Sequence, residues 1–179
     1  LLILMLLEPT LDMVSTRSQQ RNLLVLLDTS QSMTITDQAP PNDTNRTKDN
    51  GTPQKDLNEV TRLALAKKAI TDPEEGITAK MRDDYAVRYY TFGDNLEPVS
   101  DEKGETEWLG AKTAEANSSR IGSAIEEAVA RHAGQPLAGV VVLSDFAWIE
   151  GTDPSQVARK MKAQGIPVYP LAFGLPSPP

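Results

Sequence analysis

Two runs of apolar residues stand out in the body of the chain: "LLVLL" at 23–27 and "VVVL" at 140–143. The first runs straight into Asp28, and the second reaches Asp145 one residue later. Continuous runs of this kind mark parallel strands covered on both faces. "DYAVRYYTFGD" is rich in β-branched and aromatic residues and predicts a strand over about 85–92, closed by Gly93. In "NLEPVS", Pro98 pushes a short neighbouring strand to the sheet edge. "IPVYPLAFG" supplies a last strand. Between these runs the spacing turns helical. Val60, Leu63, Ala66 and Ile70 share one face of "LNEVTRLALAKKAI", with Lys67 and Lys68 suited to the dipole at its end. Ile121, Ala124, Ile125, Ala128 and Val129 follow the i, i+3, i+4, i+7, i+8 pattern, and Gly134 ends that helix. In "TDPSQVARKMKAQG", Asp153 is the expected N-cap, Pro154 the first helical residue and Gly165 the stop. Residues 34–56 are dominated by Thr, Asn, Asp, Pro and Gly and predict a long polar loop. Residues 100–118 also read as loop. Strands alternating with helices predict an α/β domain over 22–176 with a mostly parallel sheet.

The chain opens with seven apolar residues, "LLILMLL", stopped by Glu8 and Pro9. A membrane span needs about 20. The run is therefore expected to be the end of a transmembrane helix that begins upstream, with a juxtamembrane linker through residue 21. Arg17 and Arg21 lean toward a cytoplasmic side. The expected location is the cell inner membrane, through that anchor. The plainer alternative is a short buried segment packed on the domain.

Composition narrows the chemistry. Of 179 residues, 39% are hydrophobic, enough for one core, and the net charge of −7 argues against a nucleic-acid partner. With no Cys there is no disulfide or thiolate site, and the single His132 cannot build an imidazole metal site alone. Open α/β sheets bind ligands at the carboxyl ends of their strands, where Asp28 and Asp145 both stand. Two neighbouring carboxylates repel unless a proton or cation lies between them. In "DTSQSM", residues 28, 30 and 32 alternate, so an extended turn points Asp28, Ser30 and Ser32 one way. Carboxylate and hydroxyl oxygens suit Mg²⁺, Mn²⁺ or Ca²⁺. Taken singly, Asp28 simply ends a strand and Ser30 or Ser32 caps a turn. A nucleophilic Asp28 with Mg²⁺ would make the protein a phosphoryl-transfer enzyme, but that chemistry wants a second Asp where Ser30 stands.

"DTSQSM" resembles the Asp-x-Ser-x-Ser motif of von Willebrand factor A (VWA) domains, their metal-ion-dependent adhesion site. The resemblance continues in order. "SRIGSAIEEA" is similar to the family's Thr-x-x-Gly-x-Ala, with Ser119 in the Thr position and Gly122 and Ala124 matching. "VVLSDF" supplies the strand-ending Asp145, with Phe146 where a Gly is usual. The resemblance implies a Rossmann-like sheet flanked by helices, with one antiparallel edge strand. It implies metal ligation by the hydroxyls of Ser30, Ser32 and Ser119, and by Asp28 and Asp145 directly or through water. It also implies a protein partner that adds an acidic side chain to the metal, and work in binding or assembly rather than catalysis. The apolar segment before the domain resembles membrane-anchored bacterial members.

Two departures qualify the match. Ser119 keeps the hydroxyl but loses the methyl that restricts a Thr rotamer. Phe146 alters the loop after Asp145 and, with Trp148, could rim the site, although packing is the simpler role for both. A metal-free structural domain is the alternative function. Ser119 could merely cap the helix over 120–133, and Ser118 and Thr113 are weaker claimants for the ligand role. His132 is expected to pack near a helix end, Glu126 and Glu127 to form a solvated face, and Tyr85, Tyr89 and Tyr90 to be strand residues. Asp37, Asp43 and Asp49 in the polar loop raise the question whether it occludes the metal or completes its coordination.

Overall fold

The sheet runs in the order β3-β2-β1-β4-β5, so the most apolar strand lies at its centre. These strands are β1 (Arg21–Asp28), β2 (Tyr85–Phe92), β3 (Leu96–Pro98), β4 (Leu137–Ser144) and β5 (Val168–Ala172). The computed structural model describes residues 20–37, 60–72, 76, 77, 79, 81–99 and 105–174. Four strands are parallel, while β3 pairs antiparallel with β2 at the edge that Pro98 predicts. Leu23 to Asp28 are all buried because both faces of β1 are covered.

Alternation along the strands separates two cores. Leu24, Leu26, Val140 and Val142 face α3 (Ile121–Arg131) and α4 (Pro154–Ala163). Leu23, Val25, Leu27, Val141 and Leu143 face α1 (Arg62–Thr71) and α2 (Glu105–Ala111). The caps of α4 are as expected. Asp153 accepts from the Ser155 amide at 2.8 Å, Pro154 opens the helix, and Gly165 beyond it has φ +74°.

Three expectations need correction. The segment 100–118 is not all loop, since it contains α2. Among the described residues of this helix Leu109 is the deeply buried anchor, aided by partly buried Trp108, and two contacts in polar surroundings leave no readable period. Helix α1 starts at Arg62 rather than near Leu57. Thr61 caps it by accepting from the Ala64 amide at 3.2 Å, which leaves Val60 outside. Lys67 serves a neighbour rather than its own helix: its Nζ donates to the carbonyls of Gly110 and Lys112 at the end of α2. Residues 1–19, where the anchor was expected, and 38–59, which hold most of the polar loop with Asp43 and Asp49, lie outside the described residues. No helix among the described residues is long and apolar enough to cross a membrane.

Candidate metal centre at the carboxyl edge of the sheet

The parity that sorts the core also sorts the acids. Asp28 continues the side of β1 that faces α3. Asp145, just past β4, turns toward α1. The two carboxylates reach the same edge on adjacent strands, but they engage different partners.

Asp28 is fully buried and its oxygens face three donors. Oδ1 accepts from the Ser30 amide at 2.8 Å, the tight turn that Asp favours after a strand. Oδ2 accepts from the hydroxyl of Ser119 at 2.8 Å and from that of Ser144. The Ser30 and Ser32 hydroxyls lie 3.1 Å apart. Asp28 thus joins Ser119 through its hydroxyl and Ser30 through its backbone amide, and the Ser30 hydroxyl in turn meets that of Ser32.

The capping alternatives do not describe this geometry. Ser30 occupies the N-cap position of the 3₁₀ turn Gln31–Thr34 without a side-chain cap bond. The N-cap residue of α3 is Arg120, not Ser119. Ser118 and Thr113 are engaged elsewhere, with Asp94 at 2.8 Å and Glu115 at 2.6 Å.

Asp145 is tied down separately. Its Oδ1 accepts from the Ala147 amide at 3.1 Å and its Oδ2 from Arg62 Nη1 at 2.8 Å. The rest of the Arg62 fork grips Asp37, through Nη2 at 2.6 Å and Nε at 2.9 Å. The side chains of Arg62 and Asp145 are only 15% and 2% exposed, so this ion pair is largely shielded from water. The Asp37 hydrogen bond leads the causes that raise the guanidinium pKa above its ordinary value, with Asp145 adding to it. Asp37, from the start of the polar loop, therefore joins the site's edge through Arg62.

The loops carrying these groups are laced together. The Gln31 amide donates to the Ala116 carbonyl at 2.9 Å, and the Ala116 amide donates to the Thr29 carbonyl at 3.1 Å. Gly93 allows this approach, because a Cβ there would lie 2.2 Å from the Ala116 Cβ. Phe146 holds the left-handed backbone that a Gly would take freely, at φ +57°. That costs about 1–2 kcal/mol for an L-residue. Packing of its ring against the α3–α4 core and its amide bond to the Ser144 Oγ at 2.9 Å offset the strain.

Asp94 fixes the segment leading to Ser119. The Ser118 hydroxyl and amide and the Asn117 amide all donate to it. The Ser118 hydroxyl bond is the main reason its carboxyl pKa lies below the ordinary value. A carboxyl whose folded pKa is depressed contributes fully above its unfolded pKa, about 3.9, and the contribution is lost as pH falls through the folded value. Amide-exchange protection factors at Asn117 and Ser118 are therefore expected to hold from pH 7 to 5 and to fall below pH 4. Asp94→Asn should lower them already at pH 7 and flatten that pH dependence. A parent-like pH profile in the variant would count against Asp94 as the clamp.

Ser144 and Arg62 are the participants that sequence reasoning missed. Ser144 lies level with Asp28, one step beyond the Leu27–Leu143 pair, but only the register of β1 against β4 shows it. Arg62 follows the motif at a distance of 30 residues and carries no spacing signal. His132 has a structural role, as expected, but a polar one. It bonds Tyr90 Oη at 2.8 Å and Gln135 Oε1 at 3.0 Å, and Gln135 also accepts from Asn22. Glu127 pairs with Arg131, and Glu126 pairs with Lys160 of α4, so that face is less simply solvated than its composition suggests.

A five-stranded, mostly parallel sheet with one antiparallel edge strand, flanked by helices and carrying this motif edge, is a Rossmann-like fold of the VWA type. Solved structures give the likeness particular form. An aerotolerance-related membrane protein from Bacteroides fragilis matches with a TM-score of 0.62 at 23% identity, over 88% of this chain and 69% of its own. BatB from Bacteroides thetaiotaomicron matches at 0.57 and 20% identity, over 85% and 66%. Proximal thread matrix protein 1 from the mussel byssus, in a structure with a zinc-occupied adhesion-site motif, matches at 0.55 and 15%, over 87% and 39%. The chain thus spans about two thirds of the Bacteroides proteins and well under half of the mussel protein. At these identities the likeness is one of fold. Protein-family models and curated proteins give no match to this sequence.

Proposed function

We propose that the domain is a metal-ion-dependent protein-binding or assembly module. The Ser30, Ser32 and Ser119 hydroxyls would hold a divalent cation, with Asp28 and Asp145 acting directly or through water. The observation that carries this reading is the Ser119–Asp28 hydrogen bond, which joins motif segments 91 residues apart at a buried edge. Among the described residues no group of three or more His, Cys, Asp and Glu side chains gathers at this edge or anywhere else, so the site rests on hydroxyls with two carboxylates. The donors are hard oxygens and fit Mg²⁺, Mn²⁺ or Ca²⁺. The mussel neighbour's zinc-occupied motif supports a divalent ion at such an edge without naming the ion here. Two protein carboxylates leave coordination open, and an acidic side chain of a protein partner would fill it. The B. fragilis neighbour is a membrane protein, which supports reading the segment before β1 as the end of an anchor plus linker and placing the module at the cell inner membrane.

Burial speaks against a nucleophilic Asp28. Its Oδ1 and Oδ2 are both engaged and no surface is exposed, whereas a phosphoryl-accepting carboxylate must meet its substrate. One observation favours the metal-free structural alternative: both Asp28 oxygens already accept from protein donors. Calorimetric titration with Mg²⁺, Mn²⁺ and Ca²⁺ decides between them. Binding in the micromolar to millimolar range is expected, with a rise in melting temperature. Ion at about 100 times its Kd should add about 2.7 kcal/mol. No heat of binding and no thermal shift at millimolar ion would leave the structural reading in place.

A further inference from the structure

Beside the Asp28 cluster, the motif's Asp145 belongs to a charged unit whose other members, Arg62 and Asp37, lie outside the motif. Arg62 reaches Asp145 with one arm and Asp37 with the other two nitrogens. The chain fixes it from four sides. Its own amide donates to the Ile35 carbonyl at 3.0 Å, and Gly174, beyond β5, lies against the guanidinium so closely that a Cβ there would be 2.7 Å from Nε. With side-chain exposures of 15% for Arg62, 19% for Asp37 and 2% for Asp145, this is no surface pair held loosely in water.

We propose that Arg62 is a resident counter-ion of the site, contending with a divalent cation for Asp145 and so setting the site's cation affinity. The inference rests on reading the edge as a metal site. A guanidinium stays charged at any working pH. Bound to Asp145 Oδ2, it cancels half of the carboxylate charge that the edge offers a metal. A cation that took Asp145 as a direct ligand would have to draw Oδ2 from Arg62 against like-charge repulsion. Because Asp37 grips the guanidinium bidentately, Arg62 cannot simply swing aside. Asp37 partly offsets the guanidinium charge, so the residue that follows the motif loop bears on affinity without touching the ion.

This arrangement predicts opposite signs for two substitutions. On the whole chain, Arg62→Gln removes the competing charge, and calorimetry should give a Mn²⁺ Kd roughly tenfold lower. Its metal-free melting temperature should fall, because the Arg62 ion pairs to Asp145 and Asp37 are lost. Asp37→Asn removes the offsetting charge, and the Mn²⁺ Kd should rise roughly threefold. Arg62→Lys keeps the charge and should stay near the parent. A merely structural Arg62 would weaken Mn²⁺ binding in both the Gln and the Asn variant. Unchanged or weaker binding in a natively folded Arg62→Gln overturns the proposal. Should that variant not fold, unchanged or tighter binding in Asp37→Asn overturns it. If neither the parent nor Arg62→Gln takes Mn²⁺ at millimolar concentration, the metal-site reading itself falls. A parent that binds while the variants move the wrong way removes only the role given to Arg62.

Discussion

Replacing Asp28 by Asn is expected to leave the fold standing and to weaken divalent-ion binding by at least roughly 100-fold, about 2.7 kcal/mol. Asn keeps the shape and one carbonyl oxygen, so the Ser30 amide can retain its acceptor. The amide nitrogen then faces the Ser119 and Ser144 hydroxyls, which can rotate to accept from it. The melting temperature should drop by only a few degrees, since about 1 kcal/mol is worth 2–4 °C in a domain of this size. The lost charge has no substitute, because Asp145 is shared with Arg62. Asp28→Ala goes further. It strands three buried donors, each costing about 1–3 kcal/mol when unsatisfied, and should lower stability by about 2–4 kcal/mol after the hydroxyls relax. Thermal melts and Mn²⁺ titrations on the two variants separate folding from binding. An Asn variant that binds Mn²⁺ as tightly as the parent would remove Asp28 from the site.

Much of the fold was legible because burial writes itself into sequence where it is complete. β1 and β4 are buried on both faces, so their apolar runs needed no periodicity to be read. Helix α4 announced itself through Asp153, Pro154 and Gly165, whose roles are local and therefore encoded locally. Helix α2 was hidden for the opposite reason. It is seven residues long and leans on Leu109 and Trp108, too little apolar surface to make a pattern.

The site divides along the same line. The Asp28–Ser30–Ser32 segment is contiguous and could be read from spacing. Ser119 was visible only as part of an ordered motif, because its bond to Asp28 spans 91 residues. Ser144 depends on strand register and Arg62 on how the start of α1 meets the end of β4, and neither is a property of any short window. Phe146 shows a further limit. The sequence flagged the missing Gly, yet the backbone keeps the Gly-like conformation and sets core packing against the strain.

Gly122→Ala is expected to cost about 2–4 kcal/mol, although Ala is the better helix former by about 1 kcal/mol. The reason lies outside the helix. An added Cβ would sit 2.1 Å from the Thr152 carbonyl oxygen and 2.8 Å from its carbon, and backbone atoms cannot rotate away as a side-chain tip can. The two segments are also tied together, with the Thr152 amide donating to the Ser123 Oγ at 3.2 Å. Relief of the clash must push the 152 loop outward, with Asp153 and the start of α4, or shift the first turn of α3. Ser119 lies three residues before Gly122, so the second movement pulls its hydroxyl from Asp28. The melting temperature should fall by roughly 5–12 °C, and Mn²⁺ affinity should fall with it. Gly110 in α2 provides the control: a Cβ there meets nothing within 4 Å. Gly110→Ala should be neutral or stabilising by up to about 1 kcal/mol. A Gly122→Ala protein as stable as Gly110→Ala would mean that the close approach of Thr152 is not what requires glycine at this position.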